Sequence, residues 1–111
     1  MPHIIVEHSH HISLPLALTM GESIRDLMGE LGDFDPHQCK IRTLSFSQYF
    51  VGMKNQEKSS FIHVTIKILS RPLPLRQTLG NAVFNHIKKS NPLCDLSVDI
   101  IEMDRETYKK T

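Results

Sequence analysis

This chain of 111 residues has no apolar run approaching the roughly 20 residues that a membrane-crossing helix needs. Its opening holds His and Glu, not the basic-then-apolar order of a secretory leader. A cytoplasmic protein with no membrane partner is expected. A net charge of only +1 supplies no broad field for nucleic acid, so any anion recognised must be small and met by a few placed cations. The five glycines are scattered, so there is no phosphate-cradling loop, and no Ser or Cys stands in a nucleophile-elbow context. Cys39 and Cys94 lack metal-type spacing to one another, which makes reduced, partly buried thiols the expectation. Hydrolase and nucleotide-binding readings have no residues to rest on.

What is present is ordinary globular composition, 40% hydrophobic and 23% charged, in a length suited to one domain over residues 1–111 that buries about two-thirds of its unfolded surface. Inside it lies a half-length repeat. Leu14-Pro15-Leu16-Ala17-Leu18-Thr19-Met20-Gly21 aligns without gaps on Leu73-Pro74-Leu75-Arg76-Gln77-Thr78-Leu79-Gly80. Moved by one residue, the same alignment lays His3-Ile4-Ile5-Val6-Glu7 near His63-Val64-Thr65-Ile66-Lys67. Two pseudo-repeats, about 2–50 and 61–103, each read as strand, helix, strand. Strands are expected over Pro2 to His8, Ile41 to about Tyr49, Phe61 to Leu69 and about Leu96 to Met103. Ser13 caps a first helix whose stripe is Ala17, Met20, Ile24, Leu27 and Leu31, ending at Gly32. A second helix carries Leu75, Leu79, Ala82, Val83, His86 and Ile87 and ends before Asn91-Pro92. Residues 52–60 form a polar connection.

Right-handed crossovers in both halves give two parallel strand pairs. The expected fold is therefore α+β, a duplicated β-α-β unit with a four-stranded sheet and two helices on one face. The other face, carrying His63, Thr65 and Lys67, is left bare, which in so small a chain argues for assembly with copies of itself.

Several residues carry chemistry. Removal of Met1 turns Pro2 into a secondary amine at the head of a strand, a general base without a side chain once burial or nearby cations lower its pKa. Arg42, near the start of strand two, and Arg71 and Arg76, around the turn into the second helix, suit a carboxylate site, because the planar guanidinium gives paired charge-assisted hydrogen bonds. His8, His10 and His11 cluster at the end of strand one but lack a metal-ligand pattern, so a metal site ranks last and no metal is expected.

The opening Met1-Pro2-His3-Ile4-Ile5-Val6-Glu7, Ile41-Arg42, the strand Phe61 to Ile68 followed by Arg71, Arg76 and Gln77, and Leu96-Ser97-Val98-Asp99-Ile100 resemble 5-carboxymethyl-2-hydroxymuconate isomerase, of the tautomerase superfamily. The resemblance implies a homotrimer of double β-α-β subunits with the N-terminal proline as proton carrier and no cofactor. It makes Pro2 and Arg42 catalytic and Arg42 and Arg71 substrate-binding. The implied reaction moves a proton between carbons of an unsaturated enol or keto dicarboxylate through a dienol, in the breakdown of aromatic acids. Ser9 to Ser13 and the connection after Tyr49 depart from the family pattern and would border the pocket. Were Met1 retained, Pro2 would have no basic nitrogen, and the alternative is a non-catalytic trimeric binding or scaffold protein.

Overall fold

The computed structural model describes residues 2–111; whether Met1 is removed lies outside the described residues. Four strands, β1 (His3–Ser9), β2 (Lys40–Phe46), β5 (Phe61–Leu69) and β6 (Asp95–Met103), form one sheet in the order β2-β1-β5-β6. The pairs β1/β2 and β5/β6 are parallel, and β1 runs antiparallel to β5. Each parallel pair is joined by a helix, α1 (Leu14–Glu30) or α2 (Leu73–Ser90). A small hairpin of β3 (Phe50–Val51) and β4 (Lys54–Asn55) lies between the halves.

Strand parity decides what the helices cover. Ile62, Val64, Ile66 and Ile68 of β5 and Ile4 and Val6 of β1 are at most 1% exposed, because alternate residues project to one face of the pleat. Burying each such side chain contributes about 1.5–3 kcal/mol. Met20, Ile24 and Met28 of α1 and Leu79, Val83 and Ile87 of α2 close the same core. Ser13 Oγ accepts from the Leu16 N–H at 3.2 Å and satisfies one of the free donors that begin α1. Gly32, at φ +87°, makes the left-handed exit after that helix.

The structure corrects details of the sequence reading. Strand two stops at Phe46, because the chain bends at Ser47 and Gln48 to enter the hairpin. The connection expected over 52–60 contains β4, and its turn is made by Gly52 at φ +60°. In α1 the buried position is Met28, four residues beyond Ile24, while Leu27 and Leu31 are half-buried at the edge of the stripe. His86 of α2 is exposed and lies 3.1 Å from Ser23 Oγ across the helix pair.

The uncovered face carries Arg42, Leu44 and Phe46 from β2, His3, Ile5 and Glu7 from β1, Phe61, His63, Thr65 and Lys67 from β5, and Ser97, Asp99 and Ile101 from β6. Leu44 is 52% exposed there. No helix among the described residues is long and apolar enough to cross a membrane.

Candidate active site

Antiparallel pairing of β1 with β5 sets the start of one strand beside the end of the other, with His3 opposite Lys67. At that junction a cleft of about 250 Å³ opens. Pro2 lies in its wall, buried, with its carbonyl accepting from the Lys40 N–H at 2.9 Å. Ile68, Leu69 and the buried Phe34 supply apolar lining, and Asp33, Asp35 and Gln38 of the α1–β2 connection supply polar lining. Asp35 caps the short 3-10 turn Pro36–Gln38 by accepting from the His37 N–H at 2.9 Å, which stiffens that wall.

Arg71 enters the cleft from the β5–α2 turn. Its Nη1 donates to the carbonyls of Ser70 (3.1 Å) and Leu69 (3.4 Å), its Nη2 to the carbonyl of Asp33 (3.4 Å), and its guanidinium carbon lies 5.4 Å from the centre of the Phe34 ring. Three of the five N–H donors of a guanidinium are thus used to orient it, and the others remain for a ligand. Glu102 braces the turn: it accepts from the Arg71 backbone N–H at 3.3 Å and pairs with Arg76 at 3.5 Å. A hydrogen bond from Ser70, aided by these two arginine contacts, holds its carboxyl below the usual carboxylate range. Arg76 also donates to the Arg71 carbonyl at 3.0 Å, so it shapes the turn and does not line the cleft.

Arg42 is placed elsewhere. It stands on the uncovered face, where Nη1 lies 3.0 Å from His3 Nδ1, and it is not part of the cleft wall. Because Arg can only donate, His3 Nδ1 accepts, and its Nε2 carries the proton and donates to the Tyr108 hydroxyl at 2.8 Å. Burial, with the positive charge of Arg42, pushes the His3 imidazole below its ordinary pKa.

The family model for 5-carboxymethyl-2-hydroxymuconate isomerase matches residues 2–111. The chain belongs to this family. It is an isomerase of the tautomerase type with the tautomerase fold. A search of curated proteins finds no match. Among solved structures it is similar to a 5-carboxymethyl-2-hydroxymuconate isomerase from Deinococcus radiodurans R1, with 18% identity, TM-score 0.83, and coverage of 99% of this chain and 88% of that one. It is also similar to a protein inactivated by 2-oxo-3-pentynoate, with 8% identity, TM-score 0.85 and coverage of 98% and 91%. A third, a fused 4-OT wild-type symmetric trimer, shares 10% identity at TM-score 0.81 over 98% and 93%.

In this isomerase the structure brings Pro2 and Arg71 together and sets Arg42 and Arg76 apart from them. It adds Arg105, from the tail after β6, which sequence reasoning missed. Arg105 lies beyond both pseudo-repeats, so no alignment between the halves drew attention to it. Phe34 and Gln38 were missed because the α1–β2 connection has no counterpart of similar length in the second half. The histidine cluster does not converge. His8 is fully buried with Nδ1 2.9 Å from the Ser9 carbonyl, while His10 and His11 stack with ring centres 4.2 Å apart. Among the described residues no three His, Cys, Asp or Glu side chains are grouped to hold a metal. Burial pushes both thiols, Cys39 and Cys94, up in pKa, which keeps them protonated and unreactive at neutral pH.

Proposed function

We propose that this isomerase uses the Pro2 secondary amine, freed by removal of Met1, to move a proton between carbons of an unsaturated enol or keto dicarboxylate, in the breakdown of aromatic acids. The observation that carries the reading is the burial of Pro2 in the wall of a cleft that also holds the Arg71 guanidinium. Burial and nearby cations both disfavour an ammonium, so they bring a secondary amine toward the neutral range where it can accept and return a proton. Arg71 anchors a carboxylate and thereby sets the reacting carbon against the amine. Apolar lining from Phe34, Ile68 and Leu69 keeps the charge on the dienolate poorly solvated, which strengthens its attraction to the guanidinium. No cofactor enters this scheme.

The working form is a homotrimer. The uncovered sheet face, with Leu44 exposed and Ile5, Phe46 and Phe61 half-buried on it, supports this reading, since an apolar sheet face is stable only when something covers it. Arg42 lies on that face, so its proposed catalytic and carboxylate-binding roles are exercised at the cleft of a neighbouring copy. Sedimentation at micromolar concentration is expected to give a trimer; a monomer would remove both the assembly and the role of Arg42.

Intact mass and steady-state kinetics on untagged protein test the chemistry together. The expected result is a mass lacking Met1 and turnover of a dienol dicarboxylate that vanishes when the amine is blocked. Retention of Met1 with full turnover would overturn it.

A further inference from the structure

Beyond β6 the chain folds back over the cleft as a short strap. The N–H groups of Thr107 and Tyr108 donate to the Asp104 carbonyl at 3.1 and 2.9 Å, and the Glu106 N–H donates to Asp104 Oδ1 at 2.9 Å, so residues 104–108 form a self-bonded turn. The tail is tied down at two points. Tyr108 accepts from His3, the residue that follows Pro2, at 2.8 Å, and Lys110 Nζ donates to Gln38 Oε1 in the opposite wall at 3.4 Å. Three residues before the first tie Arg105 lines the cleft, and among the described residues it makes no hydrogen bond or ion pair. It therefore differs from Arg71, whose donors are largely committed to carbonyls.

We infer that Arg105 is the specificity-determining residue that makes this cleft select dicarboxylates over monocarboxylates, and that Tyr108 positions it through its bond to His3. This rests on the proposed Pro2 and Arg71 site. One carboxylate on Arg71 leaves the remote end of a linear diacid to be met by a second cation, and Arg105 is the other guanidinium that this chain itself brings to the wall, with its donors uncommitted. A methyl in place of that remote carboxylate would face a charged group it cannot satisfy, which is how a polar site rejects an isostere. Asp33 and Asp35 share the wall. Their carboxylates oppose a dianion, so discrimination depends on a cation held in place by the strap rather than on net charge.

Calorimetric titration of the assembled protein with trans,trans-muconate, a linear six-carbon dienoic diacid, and sorbate, the all-trans six-carbon dienoic monoacid, reads selectivity without any turnover. Wild type should bind muconate more tightly. Arg105→Ala should cut the muconate-to-sorbate affinity ratio roughly tenfold, between the worth of an exposed ion pair and that of a charge-assisted bond in a dry site. Arg105→Lys should restore part of the ratio, and Tyr108→Phe, which keeps the ring and loses the hydroxyl, should lower it by a smaller factor at unchanged melting temperature. Lys54→Ala, on the distant hairpin, is the charge control. A ratio unaltered by Arg105→Ala, or altered equally by Lys54→Ala, overturns the proposal while the Pro2 kinetics still stand. Turnover independent of the Pro2 amine would overturn the chemistry while the binding ratio still reports on Arg105.

Discussion

Where β1 begins the Pro2 cleft opens, and where β5 begins there is a second depression, of about 370 Å³, lined by His11, Glu57, Lys58, Ser59, Ser60 and Leu93. The two correspond through the repeat. Ser59 and Ser60 precede β5 as Pro2 precedes β1, His11 follows β1 as Arg71 follows β5, and Leu93 sits in the α2–β6 turn as Phe34 sits in the α1–β2 connection. The differences are chemical. At the second depression the chain arrives through the β3–β4 hairpin, so its backbone nitrogens are amides where Pro2 is proposed to carry a free amine, and the Tyr49 hydroxyl donates to the Ser59 carbonyl at 2.6 Å. An imidazole stands where the first cleft has a guanidinium, and Leu93 is almost wholly exposed where Phe34 is buried. Duplication supplies two similar frames, and the proposed chemistry resides in the places where the copies diverge.

The sharpest way to break this comparison is to make the clefts alike. One extra residue ahead of Pro2 would make the proposed amine an amide, and turnover should fall by about a hundred- to ten-thousand-fold, the usual worth of positioned proton transfer. One residue inserted at Ser59 should leave turnover within a factor of about two, because no amine is proposed there. Stopped-flow or steady-state assay of both insertions decides it. If the second insertion costs as much as the first, the loss is general disruption and not chemistry.

Exchanging the cations tests the next difference. Arg71→Ala should lower kcat/KM on a dicarboxylate by roughly ten- to a hundred-fold, and His11→Ala should leave it within about twofold, since only the former removes the proposed charge-assisted contact to substrate. A loss confined to KM would mean that Arg71 holds ground and transition states equally.

The third test compares stability. Gly21 and Gly80 are equivalent in the repeat, yet a Cβ on Gly21 would meet Ile41 Cγ2 at 2.5 Å, whereas on Gly80 it would meet Ile100 Cγ1 at an ordinary 3.6 Å. Ile41 is β-branched and stiff in its strand. Gly21→Ala should therefore destabilise by about 1–3 kcal/mol, while Gly80→Ala should be neutral or stabilise by up to about 1 kcal/mol through helix propensity. Urea denaturation midpoints at equal m-values measure both.

The smallest effect concerns His3, at the start of β1. The folded state binds a proton at His3 less readily than the unfolded chain does, so stability from this residue is present above the ordinary imidazole pKa. It is lost as pH falls through that value toward the depressed one. Melting temperature should accordingly drop on acidification, and His3→Gln should drop less steeply than wild type. Parallel slopes would mean that the Arg42–His3–Tyr108 chain does not hold the proton off.

Much of the frame was legible because the repeat made each half evidence for the other. Leu-Pro-Leu and the Thr and Gly that follow locate both helices, and the alternation Ile62, Val64, Ile66, Ile68 marks the buried face of β5. Arg42 shares its phase with Lys40 and Leu44 and opposes Ile41, which places it on the uncovered face. The β3–β4 hairpin was not legible, since two-residue strands bury too little apolar surface to leave a period. Arg105 was not legible either, because an exposed arginine in a polar tail looks like any solvated charge until the chain is seen to return across Pro2.

The bond from His3 to Tyr108 has an optical consequence. The chain has no tryptophan and only two tyrosines, Tyr49 and Tyr108, one beside each cleft, so its near-ultraviolet emission originates at two points. Tyr49→Phe leaves Tyr108 as the lone fluorophore, its hydroxyl accepting from a ring nitrogen. Release of the tail would return that phenol to water and change its brightness, so this molecule reports the position of its own strap without a label.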